Sequence, residues 1–129
     1  MEILLDTHIF LWYINGDKQL SNKYCDLIRD YKNNVYVSPV SVWECIIKQE
    51  LGKLTLKEKA GSFLVKERVK HKFLSLPLVE NDIQLLHKLP DIHKDPFDRL
   101  LICQAISNDL TLITEDNLVK KYGFKSLNL

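Results

Sequence analysis

The chain has 129 residues, of which 46% are hydrophobic and 27% charged, a composition that excludes a disordered protein and suits one domain with its own core. Its 18 basic and 17 acidic residues leave a net charge of +1, which argues against a chain-wide electrostatic grip on nucleic acid. Any contact with nucleic acid must therefore come from a local surface.

The cysteines and the N-terminus indicate a reducing compartment. Cys25, Cys45 and Cys103 are odd in number and far apart, and no C-x-x-C pair occurs. We therefore expect buried thiols rather than a disulfide framework or a structural zinc site. Glu2 and Asp6 interrupt the apolar N-terminus, unlike a secretory signal, and no apolar run approaches the length of a membrane span. We expect a cytoplasmic protein that does not bind membranes.

The first half of the chain predicts two short strands and four helices. In chain order these are a strand at 3–5, a helix over 8–14, a helix capped by Ser21 that reaches residue 31, a strand at 35–37, a helix from Ser41 to Leu51 that Gly52 closes, and a helix over 56–72. The helix after Ser21 carries its apolar residues at the spacing i, i+3, i+4 and i+7, which is typical of an amphipathic helix.

The second half continues the alternation of strands and helices. It predicts a strand at 73–76, a helix over 82–89 stopped by Pro90, a helix over 96–107, a strand at 110–114, a short helix over 117–121 and a last strand at 125–127. The whole pattern predicts a single α/β domain over residues 1–129. Its centre is a parallel sheet of four or five short strands, with helices on both faces.

Four acidic residues occupy positions that a parallel sheet brings to one edge. Asp6 directly follows the first strand, and Asp116 comes two residues after the strand at 110–114. Glu44 lies in the first turn of the helix after the second strand, and Asp98 lies in the first turn of the helix before strand 110–114. Sites in such sheets form beyond the carboxyl ends of the strands. We therefore expect an acidic cluster there.

Each acid also has an interpretation that requires no site. Ser41-x-x-Glu44 is a capping box, and Asp95 before a proline is a helix N-cap. Asp6 and Asp116 can be loop acids that happen to follow strands. Capping, however, does not require that the capped helix ends share one edge of the sheet.

Electrostatic repulsion limits what a cluster of acids can be. Two carboxylates about 4 Å apart repel by roughly 4 kcal/mol at an effective dielectric near 20, against a typical folding stability of about 5–15 kcal/mol. Such a cluster must bind protons, spread apart or bind a multivalent cation, and oxygen ligands favour Mg²⁺ or Mn²⁺. No histidine has the spacing of a zinc ligand, and we interpret His93 as structural or substrate-adjacent. The predicted reaction class is metal-dependent phosphodiester hydrolysis.

Four stretches carry the motifs of this chain: LLDTHIFLW, SVWECIIKQELGKL, HKDPFDRLLICQA and LTLITED. In this order and combination, over nearly its whole length, the chain resembles a PIN-domain ribonuclease, and specifically the VapC-like toxins of toxin–antitoxin pairs. The resemblance implies a catalytic and metal-binding acidic quartet made up of Asp6, Glu44, Asp98 and Asp116.

The resemblance also implies supporting residues and partners. Asp95 matches an additional acid of the subgroup with the D-P-F-D-R stretch, and Thr114 matches a hydroxyl residue that hydrogen-bonds within the site. We expect Arg99 to form a structural ion pair, and Lys48 and Lys53 to be substrate contacts. The implied activity is endonucleolytic RNA cleavage with Mg²⁺ or Mn²⁺ that leaves a 5′-phosphate. The implied assembly is a homodimer that a small antitoxin inhibits. Contact with DNA is expected only through that antitoxin.

Other interpretations remain open at this point. A haloacid-dehalogenase-type site needs a second aspartate two residues after Asp6, where His8 stands, and a receiver domain needs an aspartate at the place of Ser38. Both fit poorly. A catalytically inactive α/β interaction module, whose acids only cap helices, fits the sequence. Trp12 and Trp43 are expected in the core, with base stacking or antitoxin contact as alternatives.

Overall fold

A computed structural model describes residues 1–122 as four strands, seven α-helices and one short 3₁₀ helix. The strands are β1 Glu2–Leu5, β2 Asn34–Val37, β3 Leu74–Ser75 and β4 Thr111–Ile113. The helices are α1 Thr7–Asn15, α2 Asn22–Arg29, α3 Pro39–Glu50, α4 Ala60–Lys70, α5 Glu80–Gln84, α6 Pro96–Ser107 and α7 Asn117–Lys120. The 3₁₀ helix, Leu85–His87, follows α5 directly. Within residues 1–122, no helix is both long and apolar enough to cross a membrane.

The four strands form one parallel sheet in the order β3-β2-β1-β4. The central strand β1 is completely buried at Ile3, Leu4 and Leu5, as a strand covered on both faces of a parallel sheet must be. The parallel sheet is therefore confirmed with four strands in the described part of the chain. The strand predicted at 125–127 lies outside the described residues.

Helices cover both faces of the sheet. Ile3 and Leu5 belong to one apolar core with side chains of α1, α2 and α4, whereas Leu4 belongs to a second core with side chains of α6 and α7. Successive side chains of a strand point to opposite faces, so the two cores lie on opposite sides of the sheet. The predicted arrangement of layers is confirmed.

The N-cap of α3 is Ser38, three residues before the predicted Ser41. The Ser38 hydroxyl accepts a hydrogen bond from the Val40 N–H at 3.0 Å. Pro39 occupies the first helical position, where its missing N–H needs no partner. The predicted capping box is therefore wrong, and Glu44 lies in the second turn of α3 rather than in its first. Ser41 and Glu44 are consequently available for tertiary contacts.

The helix predicted over 56–72 begins only at Ala60. The side chain of Gln49 in α3 determines this start: its Oε1 accepts from the Ala60 N–H at 2.8 Å, and its Nε2 donates to the Glu58 carbonyl at 2.9 Å. Residues 56–59 are thereby held in an irregular segment against α3. The prediction failed here because the interaction that ends the loop comes from another helix.

The remaining elements follow the predictions with small differences at their ends. The strand predicted at 73–76 shortens to β3, and the helix predicted over 82–89 begins at Glu80 and continues as the 3₁₀ helix. Gly52 adopts a left-handed φ of +74° after α3, as the predicted helix end requires. The helix predicted over 96–107 coincides with α6.

The two tryptophans differ in burial. Trp12 packs against the first apolar core, as predicted, but Trp43 is 51% exposed and contacts Phe97 edge-on with ring centroids 4.8 Å apart. The core position predicted for Trp43 is wrong, because this residue lies beside the buried face of α3 and not on it. That face consists of Val40, Ser41, Glu44 and Cys45.

Candidate active site

Asp6 and Asp116 lie just beyond the carboxyl ends of the neighbouring strands β1 and β4. The Asp6 N–H donates to the Ile113 carbonyl at 3.0 Å, which joins the two strand ends. The Thr114 hydroxyl donates to Asp6 Oδ2 at 2.5 Å, and the Asp116 N–H donates to Thr114 Oγ1 at 3.0 Å. Thr114 thus connects two acids from opposite ends of the sequence.

The start of α6 brings Asp98 to the same edge of the sheet. Asp95 is the N-cap of this helix, and its Oδ1 accepts from the N–H groups of Phe97 at 2.9 Å and Asp98 at 3.3 Å. Because α6 leads back to the beginning of β4, its N-terminus lies near the carboxyl edge. The Asp95 cap therefore fixes the position of Asp98 in the first turn of the helix.

His93 lies between two of the acids. Its Nε2 is 3.0 Å from Asp98 Oδ2 and 3.0 Å from Asp116 Oδ2, and its Nδ1 accepts from the Asp95 N–H at 3.1 Å. One ligand atom from each of His93, Asp98 and Asp116 lies within 4.8 Å of the others. Sequence reasoning did not place His93 in contact with the acids. The available signal was its short spacing to two aspartates in HKDPFD.

Glu44 is buried and has polar partners on both carboxylate oxygens. The Thr7 hydroxyl donates to Oε1 at 2.8 Å and also lies 2.8 Å from the Ser41 hydroxyl, while Lys48 Nζ lies 2.6 Å from Oε2. Lys48 therefore neutralises Glu44 from one turn further along α3. Thr7 and Ser41 were not predicted as site residues; the signal for Thr7 is its position directly after Asp6.

The pKa shifts of Asp98 and Asp6 reflect burial together with the negative charges of neighbouring acids. Burial, and after it the negative charges of Asp6, Asp95 and Glu44, raises the pKa of Asp98 to about 7. Burial also raises the pKa of Asp6, although the hydrogen bond from Thr114 opposes this. Burial is the larger cause of both shifts, and the contributions of neighbouring acids add to it in surroundings that water screens poorly.

Asp116 differs from the other acids in its ionisation. Burial disfavours its charged form, but hydrogen bonds from His93 and from the backbone N–H groups of Leu118 and Val119 outweigh that effect. The pKa of Asp116 is therefore below its ordinary value. Asp116 is a carboxylate at neutral pH, whereas Asp98 is only partly ionised there.

Three acids at this edge also cap helices: Asp95, as predicted, and Asp6 and Asp116, which the sequence also allowed as loop acids. Asp6 caps α1, Asp95 caps α6 and Asp116 caps α7, each through hydrogen bonds from backbone N–H groups to its side chain. All three capped ends lie at the carboxyl edge of the sheet, which capping alone does not require. Capping and clustering are two properties of the same residues.

The donor set of this edge suits a hard divalent cation. Asp6, Asp98 and Asp116 present carboxylate oxygens, which such cations prefer, and the repulsion that raises the pKa of Asp98 is relieved by positive charge. Glu44 is already paired with Lys48, so its oxygens are less available than those of the aspartates.

Arg99 binds backbone carbonyls instead of a carboxylate. Its Nη1 donates to the carbonyls of Pro90 at 3.2 Å and His93 at 3.3 Å, and its Nη2 donates to the Leu86 carbonyl at 3.4 Å. No carboxylate of residues 1–122 lies within ion-pair distance of its guanidinium, so the ion pair expected from the sequence is replaced by these bonds. Arg99 therefore holds the segment that carries His93.

A cavity of about 470 Å³ adjoins Glu44, between α1, α3 and the loop that follows α3. Thr7 lines both the cavity and the Glu44 pocket. Trp12 and the two predicted substrate contacts, Lys48 and Lys53, also line it. The cavity therefore combines two lysines and Asp17 with an aromatic ring, and Thr7 connects it to Glu44.

Comparison with known proteins gives a family and a set of solved structures. Residues 3–125 match the model of the PIN domain. Chains similar in structure occur in VapBC2 from Rickettsia felis bound to a promoter DNA fragment, with 16% identity, a TM-score of 0.73 and coverage of 99% of this chain and 98% of that one. VapBC-1 from nontypeable Haemophilus influenzae matches with 15% identity and a TM-score of 0.67, covering 99% of this chain and 98% of that one. DNA-bound VapBC from Salmonella typhimurium matches with 16% identity and a TM-score of 0.65, covering 98% of this chain and 97% of that one.

At these identities the structural likeness shows the fold alone. Comparison with curated protein sequences gives no significant match. The family match, however, spans nearly the whole chain and includes all four acids at the sheet edge. The chain belongs to the PIN domain family.

Proposed function

We propose that this chain, as a single nuclease domain over residues 1–129, is an endoribonuclease that depends on Mg²⁺ or Mn²⁺ and serves as the toxin of a toxin–antitoxin pair. The observation that carries the proposal is the convergence of Asp6, Asp98 and Asp116 at the carboxyl edge of a PIN-domain sheet, where burial, and after it the charge of Asp6, disfavours the ionised form of Asp98. Such a cluster is costly for stability and useful for binding a cation.

Each acid of the proposed catalytic set has a distinct task. Asp6, Asp98 and Asp116 hold the ion, and Glu44 completes the acidic pocket from α3. When bound, the ion activates a water molecule and stabilises the charge that develops on the scissile phosphate. Thr114 orients Asp6 through the hydrogen bond at 2.5 Å.

RNA binding is assigned to the cavity beside Glu44. Burial alone lowers the pKa of Lys48, but its hydrogen bond to Glu44 and the nearby acids raise it, so Lys48 remains a cation. Lys48 and Lys53 are therefore placed to contact phosphate oxygens, and Trp12 offers a ring face for a base. Thr7 and Lys48 connect this cavity to Glu44, so RNA bound there would lie near the acidic cluster.

The structural relatives support the assignment of partners. The Rickettsia and Salmonella proteins were solved as VapBC assemblies with DNA, and the Haemophilus protein as a VapBC assembly. We assign to this chain a small antitoxin that covers the acidic edge, contact with DNA only through that antitoxin, a homodimeric state and a cytoplasmic location.

The proposal is tested by incubating the purified chain with 5′-labelled RNA in the presence of Mg²⁺, Mn²⁺ or EDTA. We expect internal cleavage that requires the ion and disappears in Asp6→Asn and Asp98→Asn. Asp26→Asn changes an exposed aspartate of α2 and serves as the matched control. Cleavage that persists in EDTA, or in folded Asp6→Asn and Asp98→Asn, contradicts the proposal.

A second function has one observation in its favour. Asp6, Asp95 and Asp116 do cap helices, and Lys48 already neutralises Glu44, which is what an inactive interaction module needs. The same purified chain separates the two functions. An inactive module binds neither Mn²⁺ nor Mg²⁺ and leaves every RNA intact while remaining folded.

A further inference from the structure

We infer that His93 is a positioning residue: its Nε2–H joins Asp98 to Asp116 and holds the two carboxylates in place without itself binding the metal. The inference rests on the hydrogen bonds around the ring. It deepens the proposed function, since the carboxylates that His93 would orient are the proposed metal ligands.

The hydrogen bond to Nδ1 determines where the ring proton lies. A backbone N–H can only donate, so the Asp95 N–H at 3.1 Å makes His93 Nδ1 an acceptor without a proton. The proton of the neutral ring is then on Nε2, which faces Asp98 Oδ2 and Asp116 Oδ2, both at 3.0 Å. These are ordinary N–H···O distances, and the single proton is shared between the two carboxylates.

The backbone of His93 is fixed from two sides. Its N–H donates to the Tyr122 hydroxyl oxygen at 2.7 Å, and its carbonyl accepts from Arg99 Nη1 at 3.3 Å. Arg99 Nη1 also lies 3.3 Å from the Tyr122 hydroxyl, which closes a small network around this residue. With 12% of its side chain exposed, the ring has little freedom to turn a different nitrogen toward the acids.

This arrangement is the opposite of that in a metal-binding histidine. A ligand imidazole presents a lone pair to the metal and donates its other ring N–H to a carboxylate or carbonyl. Here the nitrogen that faces the acids carries the proton, and the other nitrogen accepts. His93 therefore acts on the ion through Asp98 and Asp116, whose orientation it determines.

Nitrogen NMR of the uniformly ¹⁵N-labelled, metal-free chain tests the tautomer directly. We expect His93 signals that show Nε2 protonated and Nδ1 unprotonated. A ring protonated on Nδ1, or on both nitrogens, at slightly alkaline pH overturns the inference. This measurement requires neither catalysis nor a bound ion, so it decides the role of His93 even if the proposed nuclease activity is absent.

Mn²⁺ titration of the full chain, followed by calorimetry and electron paramagnetic resonance, provides the second test. His93→Leu removes the donor and should weaken Mn²⁺ binding by about tenfold or more, because the two carboxylates lose their orientation. His93→Gln keeps an N–H donor and should bind Mn²⁺ more tightly than His93→Leu. His87→Leu, on an exposed histidine, is the matched control and should bind as the unaltered chain does.

The outcomes separate the inference from the proposed function. Direct hyperfine coupling between Mn²⁺ and a ¹⁵N nucleus of His93 shows a ligand and overturns the inference, as does equal affinity in His93→Leu and the unaltered chain. If His93→Leu does not fold, the comparison of His93→Gln with the His87→Leu control decides: loss of binding in the Gln variant contradicts a role as donor. If the unaltered chain binds no Mn²⁺, the proposed metal centre fails and the NMR result still stands.

Discussion

The hydroxyl of Thr114 donates a hydrogen bond to Asp6 Oδ2 at 2.5 Å, and both residues are almost completely buried. This bond links the carboxyl ends of the neighbouring strands β1 and β4, and it is among the effects that lower the pKa of Asp6 against the larger effect of burial. As an anion, Asp6 has few other sources of stabilisation.

We expect Thr114→Val to destabilise the protein by about 1–3 kcal/mol. Valine has nearly the shape of threonine but cannot donate a hydrogen bond to the buried carboxylate of Asp6. The pKa of Asp6 should rise further above its ordinary value for the same reason. Urea unfolding measures the stability, with Thr111→Val as a control at the partly exposed start of β4, the strand that precedes Thr114. Equal stability of the two variants would show that the bond contributes nothing.

The metal-free protein should lose stability as the pH rises toward neutrality. Because the pKa of Asp98 is raised from 3.8 to about 7, the folded state holds this proton more tightly than the unfolded chain does. The resulting stabilisation is complete below about pH 4 and is lost as the pH rises through about 7, with a total on the order of a few kcal/mol. Asp98→Asn should flatten this dependence in unfolding measured from pH 4 to 8.

Added Mn²⁺ reverses this trend in the proposed metal centre. A cation that binds the ionised carboxylates stabilises the folded chain most at the pH where Asp98 is charged. The melting temperature should therefore rise with Mn²⁺ at pH 8 more than at pH 5. An equal rise at both pH values would locate the ion elsewhere.

Lys48→Met should destabilise the protein because it leaves Glu44, which is 2% exposed, without its counterion. We expect a loss of about 1–3 kcal/mol, reduced from the value for a fully buried pair because a third of the Lys48 side chain faces solvent. The double variant Lys48→Met with Glu44→Gln should recover part of the loss. Lys66→Met, in an exposed pair with Glu58, should change stability by less than about 1 kcal/mol.

Asp95 distinguishes capping from direct participation. If its task is to cap α6, Asp95→Ser should keep stability and RNA cleavage near those of the unaltered chain, whereas Asp95→Ala should cost about 1 kcal/mol. Thermal unfolding and cleavage are measured on the same preparations. Loss of cleavage in a fully stable Asp95→Ser would instead assign Asp95 a role at the substrate or the ion.

Local patterns in the sequence were sufficient for most of the architecture. The alternation of apolar strands with helices predicted the parallel sheet and both helical layers, and D-P-F-D-R predicted the start of α6 at Pro96. These features depend on interactions within a few residues, such as the Asp95 cap, or on the parallel order of strands. The convergence of Asp6, Asp98 and Asp116 follows from that order.

Where two local signals compete, the sequence predicted the wrong helix start. Both Ser38 and Ser41 can serve as N-caps, but Pro39 at the first helical position is a local signal for Ser38 that the prediction did not weigh. The late start of α4 has a different cause, because it depends on Gln49, a side chain from another helix. Local propensity cannot reveal a contact of that kind, since it joins residues of different elements.

The sequence by itself determined which acidic residues lie at the carboxyl edge of the sheet. The alternation of strands and helices, together with the helix caps, fixes the backbone positions of these residues. Only the tertiary structure decided how those acids are held. The contacts of His93 with Asp98 and Asp116, and of Thr7 with Glu44, join side chains from different elements at hydrogen-bond distance. Contacts of this kind depend on rotamers and on packing between elements, and no periodicity along the chain encodes them.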